Sequence, residues 1–178
     1  MTETILLAVI LIPCLIIAIV FHEVAHGWTA LALGDPTAKE QRRLSLNPIR
    51  HVDPIGTLLV PGALALFGGP IFGWAKPVPV RGDRLRDPRF GMVAVAAAGP
   101  ATNLVLAFIG ALVFGAVSGT IIASGGTPPD WLLSAGGMFI LINVFLALFN
   151  LLPIPPFDGS HIVGGLLPPK WAANRQKL

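Results

Sequence analysis

The sequence has 178 residues, 54% of them hydrophobic and 12% charged, with a mean hydropathy of +0.77. A water-soluble domain carries ~25% charged residues, so this composition excludes an ordinary soluble globule and indicates an integral membrane protein of single-domain size, its core built by helices packing in lipid. The formal net charge of +3 does not signal nucleic-acid binding, because the basic residues fall in three clusters only: Lys39, Arg42, Arg43 and Arg50; Lys76, Arg81, Arg84, Arg86 and Arg89; and Lys170, Arg175 and Lys177.

Met1 to Glu3 lacks the basic region of a signal peptide, and no small-x-small cleavage site follows, so the first apolar stretch is expected to be retained as a span. That span, read over residues 4–33, would be ~45 Å long at ~1.5 Å per residue, more than the ~30 Å hydrocarbon core. It must tilt, kink near Pro13, or protrude. Cys14, the only cysteine, lies inside it and reads as a packing residue. Leu44 to Leu46 reads as a short strand.

Residues 55–73 have basic clusters on both sides, so a single crossing would leave one cluster outside. Pro61, Gly62, Gly68, Gly69 and Pro70 suit a re-entrant segment, with a full span as the alternative. Lys76 to Arg81 reads as a second strand, which Pro77 and Pro79 confine to a sheet edge. The next span, 91–122, opens on the small residues Ala96-Ala97-Ala98-Gly99-Pro100-Ala101, which permit close helix approach. Gly125 to Pro129 forms a turn, and 131–152 returns across the membrane to stop at Pro153-Ile154-Pro155-Pro156. The expected fold is an all-α polytopic membrane protein. It has about three core transmembrane helices, a re-entrant or fourth hydrophobic hairpin, and a small membrane-associated β segment, with residues 1–178 forming one domain. The basic clusters place the loops and carboxyl terminus in the cytoplasm and the amino terminus outside.

Within the first span, Phe21-His22-Glu23-Val24-Ala25-His26 contains His-Glu-x-x-His. Histidines four apart on a helix share a face, so both rings can reach one zinc ion, with the glutamate beside the metal and placed to accept a proton from water. Three ionisable groups in a transmembrane helix are costly and default to function. His22 lies ~16 Å from the Leu33 end, which buries the site towards the cytoplasmic half. Catalytic zinc usually has three protein ligands. On chemistry alone the third is open among Asp158, His161, His51 and Asp53, the last two reading as solvated turn residues and Asp158-Gly159 also suiting a turn. Asn103 and Asn143, in apolar spans, read as inter-helix polar contacts.

These residues, with Asp53-Pro54-Ile55-Gly56, Gly73-Trp74-Ala75-Lys76-Pro77-Val78, Ala98-Gly99-Pro100-Ala101-Thr102-Asn103 and the run from Asn150 to Gly159, resemble the site-2 protease family of intramembrane metalloproteases, particularly its compact prokaryotic members. The resemblance implies Asp158 as the third ligand of one Zn2+ per chain. It also implies Glu23 as catalytic base, and Asn150 as a residue near the substrate carbonyl, where it would assist a developing oxyanion. A single-span membrane protein is the implied substrate, and the lipid bilayer the other partner. A zinc transporter and an inactive zinc-binding scaffold are the alternatives; a transporter would be expected to show inverted-repeat halves, which are not seen here. Many compact members of that family continue with another apolar segment beyond Pro168 and Pro169, where this sequence stops at Leu178.

Overall fold

The structure, a computed structural model, describes residues 2–53, 59, 63, 67 and 76–167. Three long helices dominate it: α1 (Thr2–Ala32), α3 (Pro88–Ala123) and α4 (Asp130–Asn150). Each is long and apolar enough to cross a membrane. Helices cover the stretches read as spans at 4–33, 91–122 and 131–152, each within a few residues of the expected ends. The short α2 (Thr37–Glu40) follows α1, and α5 (Asp158–Leu166) follows α4. Nearly all of 55–73 lies outside the described residues.

Local chemistry sets the helix ends. Gly34, at φ +112°, turns the chain out of α1, a conformation that a side chain would strain. Asp87 caps α3 by accepting from the backbone N–H groups of Arg89 and Phe90 at 2.9 and 3.0 Å, and Pro88 occupies the first helical position, where its missing N–H costs nothing. Gly125, at φ +81°, closes the other end of α3.

α3 runs antiparallel to both neighbours. The pairings Ala18 with Asn103 and His26 with Val95 align it against α1, and those of Asn103 with Asn143 and Gly110 with Phe139 align it against α4. The α3–α4 contact is reciprocal. Phe139 packs where a Cβ on Gly110 would stand 2.7 Å from its ring, and Phe114 packs the same way over Gly136 at 2.8 Å. Buried positions are mostly small, such as Ala18, Ala96, Ala107 and Ala147, while Ile5, Leu7, Phe108, Val113, Leu141 and Phe145 point outward. Large side chains outside and small ones inside is the arrangement of helices solvated by lipid.

Neither expected strand forms; among the described residues there is none. Residues 76–81 have no partner strand; Lys76 N–H donates to the His51 carbonyl at 2.9 Å, and side chains serve further positions along the segment. Val78 N–H donates to Glu23, Arg81 N–H donates to Asp35, and Arg43 donates to the Lys76 and Pro77 carbonyls. Pro77 and Pro79 have no N–H to give a ladder.

Candidate metal centre

His22 and His26 face the same side of α1, and each ring uses Nδ1 on α3. His22 Nδ1 lies 2.6 Å from Asn103 Oδ1, and His26 Nδ1 lies 2.7 Å from the Val95 carbonyl. Both partners are acceptors, so each imidazole carries its proton on Nδ1 and presents a bare Nε2 lone pair. The two Nε2 atoms are 3.0 Å apart. Asp158 Oδ2, from the first residue of α5, lies 3.2 Å from His22 Nε2 and 3.3 Å from His26 Nε2.

Three electron-rich atoms thus meet with no proton to share. Asp158 Oδ2 is buried without a hydrogen-bond partner, and His22 and His26 are 7% and 8% exposed. A buried polar group left in that state is unfavourable unless something positive stands among the three. Donor atoms around a tetrahedral zinc with ~2.0 Å bonds are ~3.3 Å apart. The spacing and the imidazole and carboxylate donors fit zinc.

Neighbouring elements hold the cluster in place. Asn103, fully buried, donates through Nδ2 to the Ala18 carbonyl at 3.1 Å and to Asn143 Oδ1 at 2.9 Å, which leaves its oxygen facing His22. Asn143 in turn donates to the Phe139 carbonyl at 2.9 Å. Gly99 of α3 passes so close that a Cβ there would stand 2.5 Å from His26 Nε2 and 2.6 Å from His22 Nε2. A Cβ on Gly159 would overlap the Leu151 carbonyl, so the residue after Asp158 must be glycine for α5 to fold back this tightly. Arg89 caps the far end of α5, donating to the carbonyls of Gly165 and Leu167, both at 2.7 Å.

The other expected residues lie apart from this cluster. Glu23 is half-buried next to His22, its Oε2 accepting from Val78 N–H at 2.7 Å. Asn150, the last residue of α4, donates to the Leu146 carbonyl of its own helix at 2.9 Å. His161 is exposed on α5, and Asp53 is half-buried. His51 departs from its reading as a solvated turn residue: it is 3% exposed, with Nε2 placed 2.7 Å from the Ser45 carbonyl. Among the described residues, His22, His26 and Asp158 form the one group of three close metal-type donors. Sequence reasoning took Asn103 as an inter-helix contact, which it is, but missed its bond to His22. The available signal was an amide standing in an otherwise apolar span, beside a run of small residues.

Residues 117–176 match the model of Peptidase family M50. Over 162 residues the chain is 44% identical to YwhC of Bacillus subtilis, an alignment covering 89% of this chain and 69% of that one. The chain belongs to peptidase family M50. Two further relatives are Rip2 of Mycolicibacterium smegmatis, 30% identical over 81% of this chain and 52% of its own, and MJ0611 of Methanocaldococcus jannaschii, 31% identical over 81% and 63%. All three relatives are classed, provisionally, as zinc metalloproteases. No solved structure matches the chain. The segment matched to the M50 model includes Asn150 and Asp158 but not the His22–His26 pair, which the fold brings against Asp158 from outside that segment.

Proposed function

We propose that this M50 peptidase is an intramembrane zinc metalloendopeptidase that cleaves within a transmembrane segment of a single-span membrane protein. The observation that carries the reading is the convergence of His22 Nε2, His26 Nε2 and Asp158 Oδ2 within 3.3 Å, the two histidines standing on a helix long and apolar enough to cross a bilayer. These three residues would hold one zinc ion per chain. A zinc ion bound there supplies Lewis acidity, which acidifies water and polarises a carbonyl.

The chain's own groups perform the remaining work. Glu23 accepts a proton from water on its carboxylate and returns it to the leaving amine. Asn150 stands by to donate a hydrogen bond to the carbonyl oxygen as charge develops on it. The helices exclude bulk water, and they place His22 ~15 Å inside the Ala32 end of α1. Residues 1–178 act as one membrane-embedded domain in the cell membrane, with the amino terminus outside and the basic loops and carboxyl terminus in the cytoplasm.

The test is to reconstitute the full chain in vesicles with a single-span test substrate and compare it with Glu23→Gln. The expected result is zinc content equal to wild type and cleavage reduced by ~10²–10⁴. Full cleavage by the variant would overturn the reading. So would zinc flux across the vesicle without cleavage, which a transporter would give.

A further inference from the structure

The extended segment 76–81 is tied to the rest of the protein by buried side chains at both ends. Arg43, 8% exposed, donates through Nη2 to the Lys76 carbonyl at 2.6 Å and the Pro77 carbonyl at 3.3 Å, and through Nη1 to the Arg50 carbonyl. At the other end, Asp35 Oδ2 accepts from Arg81 N–H at 2.6 Å. Between these anchors Val78 N–H donates to Glu23 Oε2 at 2.7 Å.

Three features show that this contact is built rather than incidental. Pro77 and Pro79 lack N–H groups, so Val78 carries the one backbone donor of that tripeptide, and it is aimed at Glu23. Gly27, one turn along α1, admits the segment: a Cβ there would stand 2.9 Å from Val78 Cγ1. A buried guanidinium is costly unless its N–H groups are used. Arg43 uses its two Nη groups on backbone carbonyls, Nη2 on the two that immediately precede Val78, while its Nε is buried without a partner among the described residues.

We propose that the backbone N–H of Val78, fixed by Arg43, is the positioning group for the Glu23 carboxylate. It holds Oε2 and leaves Oε1 for the proton transfer. Arg43 touches no reacting atom; it acts through the segment. The inference rests on the reading of Glu23 as the proton acceptor. It assigns a task to Arg43 and to residues 76–81 that the donor cluster does not require.

The experiment compares Val78→Pro, which removes the N–H, with Val78→Ala, which keeps it while losing the side chain, in the full chain. kcat of Val78→Pro is expected to fall about tenfold or more below that of Val78→Ala, with KM and zinc content alike in the two, because a misplaced general base costs rate and not binding. Arg43→Lys is expected to lower kcat in the same direction, since an ammonium cannot span the same carbonyls. A second readout needs no turnover. With selective 15N-valine labelling, the Val78 amide is expected to exchange slowly in wild type and in Glu23→Gln, which keeps an acceptor oxygen, and quickly in Glu23→Ala. Equal kcat for the two Val78 variants, or Val78 exchange indifferent to Glu23→Ala, would overturn the inference. If Glu23→Gln cleaves normally, it is the protease reading that fails; if Glu23→Gln is inactive while Val78→Pro and Val78→Ala are equally active, only the positioning inference fails.

Discussion

Asn103 Oδ1 accepts from His22 Nδ1 at 2.6 Å, on the side of the ring facing away from the donor cluster. This bond places the proton on Nδ1 and so frees Nε2 as a ligand. Asn103→Leu is therefore expected to weaken zinc binding by ~10–100-fold without altering any ligand. Chelator competition on the purified protein measures it. Wild-type affinity in the variant would mean that Asn103 does not orient the ring.

Gly99→Ala makes a sharper case because it adds one methyl group at 2.5–2.6 Å from the two ring nitrogens. Alanine favours helix by ~1 kcal/mol over glycine, so α3 itself should not suffer. The expected outcome is loss of stoichiometric zinc with helical circular dichroism unchanged. Gly119→Ala on the same helix is the control, since nothing lies within 4 Å of a Cβ there, and it should keep its zinc.

Arg89 should tune the site from a distance. Its guanidinium ties the Gly165 and Leu167 carbonyls to the start of α3, and α5 carries Asp158 at its other end. Arg89→Met keeps much of the apolar stem and removes both bonds. Zinc affinity is expected to fall several-fold, less than the loss in Asp158→Ala, which removes the ligand. Equal affinity for Arg89→Met and wild type in the same competition assay would show that α5 holds its place without the cap.

Asp35, fully buried beyond the end of α1, gives a pH prediction. Burial acts to raise its pKa, but the N–H of Arg81, the hydroxyl and N–H of Thr37 and the charge of Arg84 outweigh it and hold the pKa below the usual 3.8. A folded-state pKa below the unfolded one means that protons bind the unfolded chain more readily. The carboxylate's contribution to stability is therefore complete above about pH 4 and is lost as the pH falls through the folded value. Asp35→Asn is expected to be less stable than wild type at neutral pH, the gap narrowing below about pH 4. Thermal denaturation in detergent micelles checks this; a gap independent of pH would contradict it.

The parts legible in the sequence were those with a local period or a long composition. His22 and His26 stand one helical turn apart, so their shared face follows from spacing, and the apolar stretches gave the three long helices. Asp158 came from resemblance, because nothing local distinguishes an aspartate that heads a helix from one that heads a turn. Asn103 could not be paired with His22 in advance: 81 residues separate them, and only the antiparallel packing of α1 and α3 brings them together. The strands at 44–46 and 76–81 were misread for a related reason. Neither pairs into a ladder, and at 76–81 the hydrogen-bond partners include Glu23, Asp35 and Arg43, side chains from elsewhere in the chain.

The donor cluster also dictates an order of events during synthesis. His22 and His26 enter the membrane with the first helix, but their tautomers are fixed only when α3 supplies Asn103 and the Val95 carbonyl, and Asp158 arrives only after α4. Until then the ribosome has delivered a pair of histidines with neither their orienting partners nor their third donor. The three donors therefore come together only once α5 has docked, so an ion whose retention needs all three would report that docking.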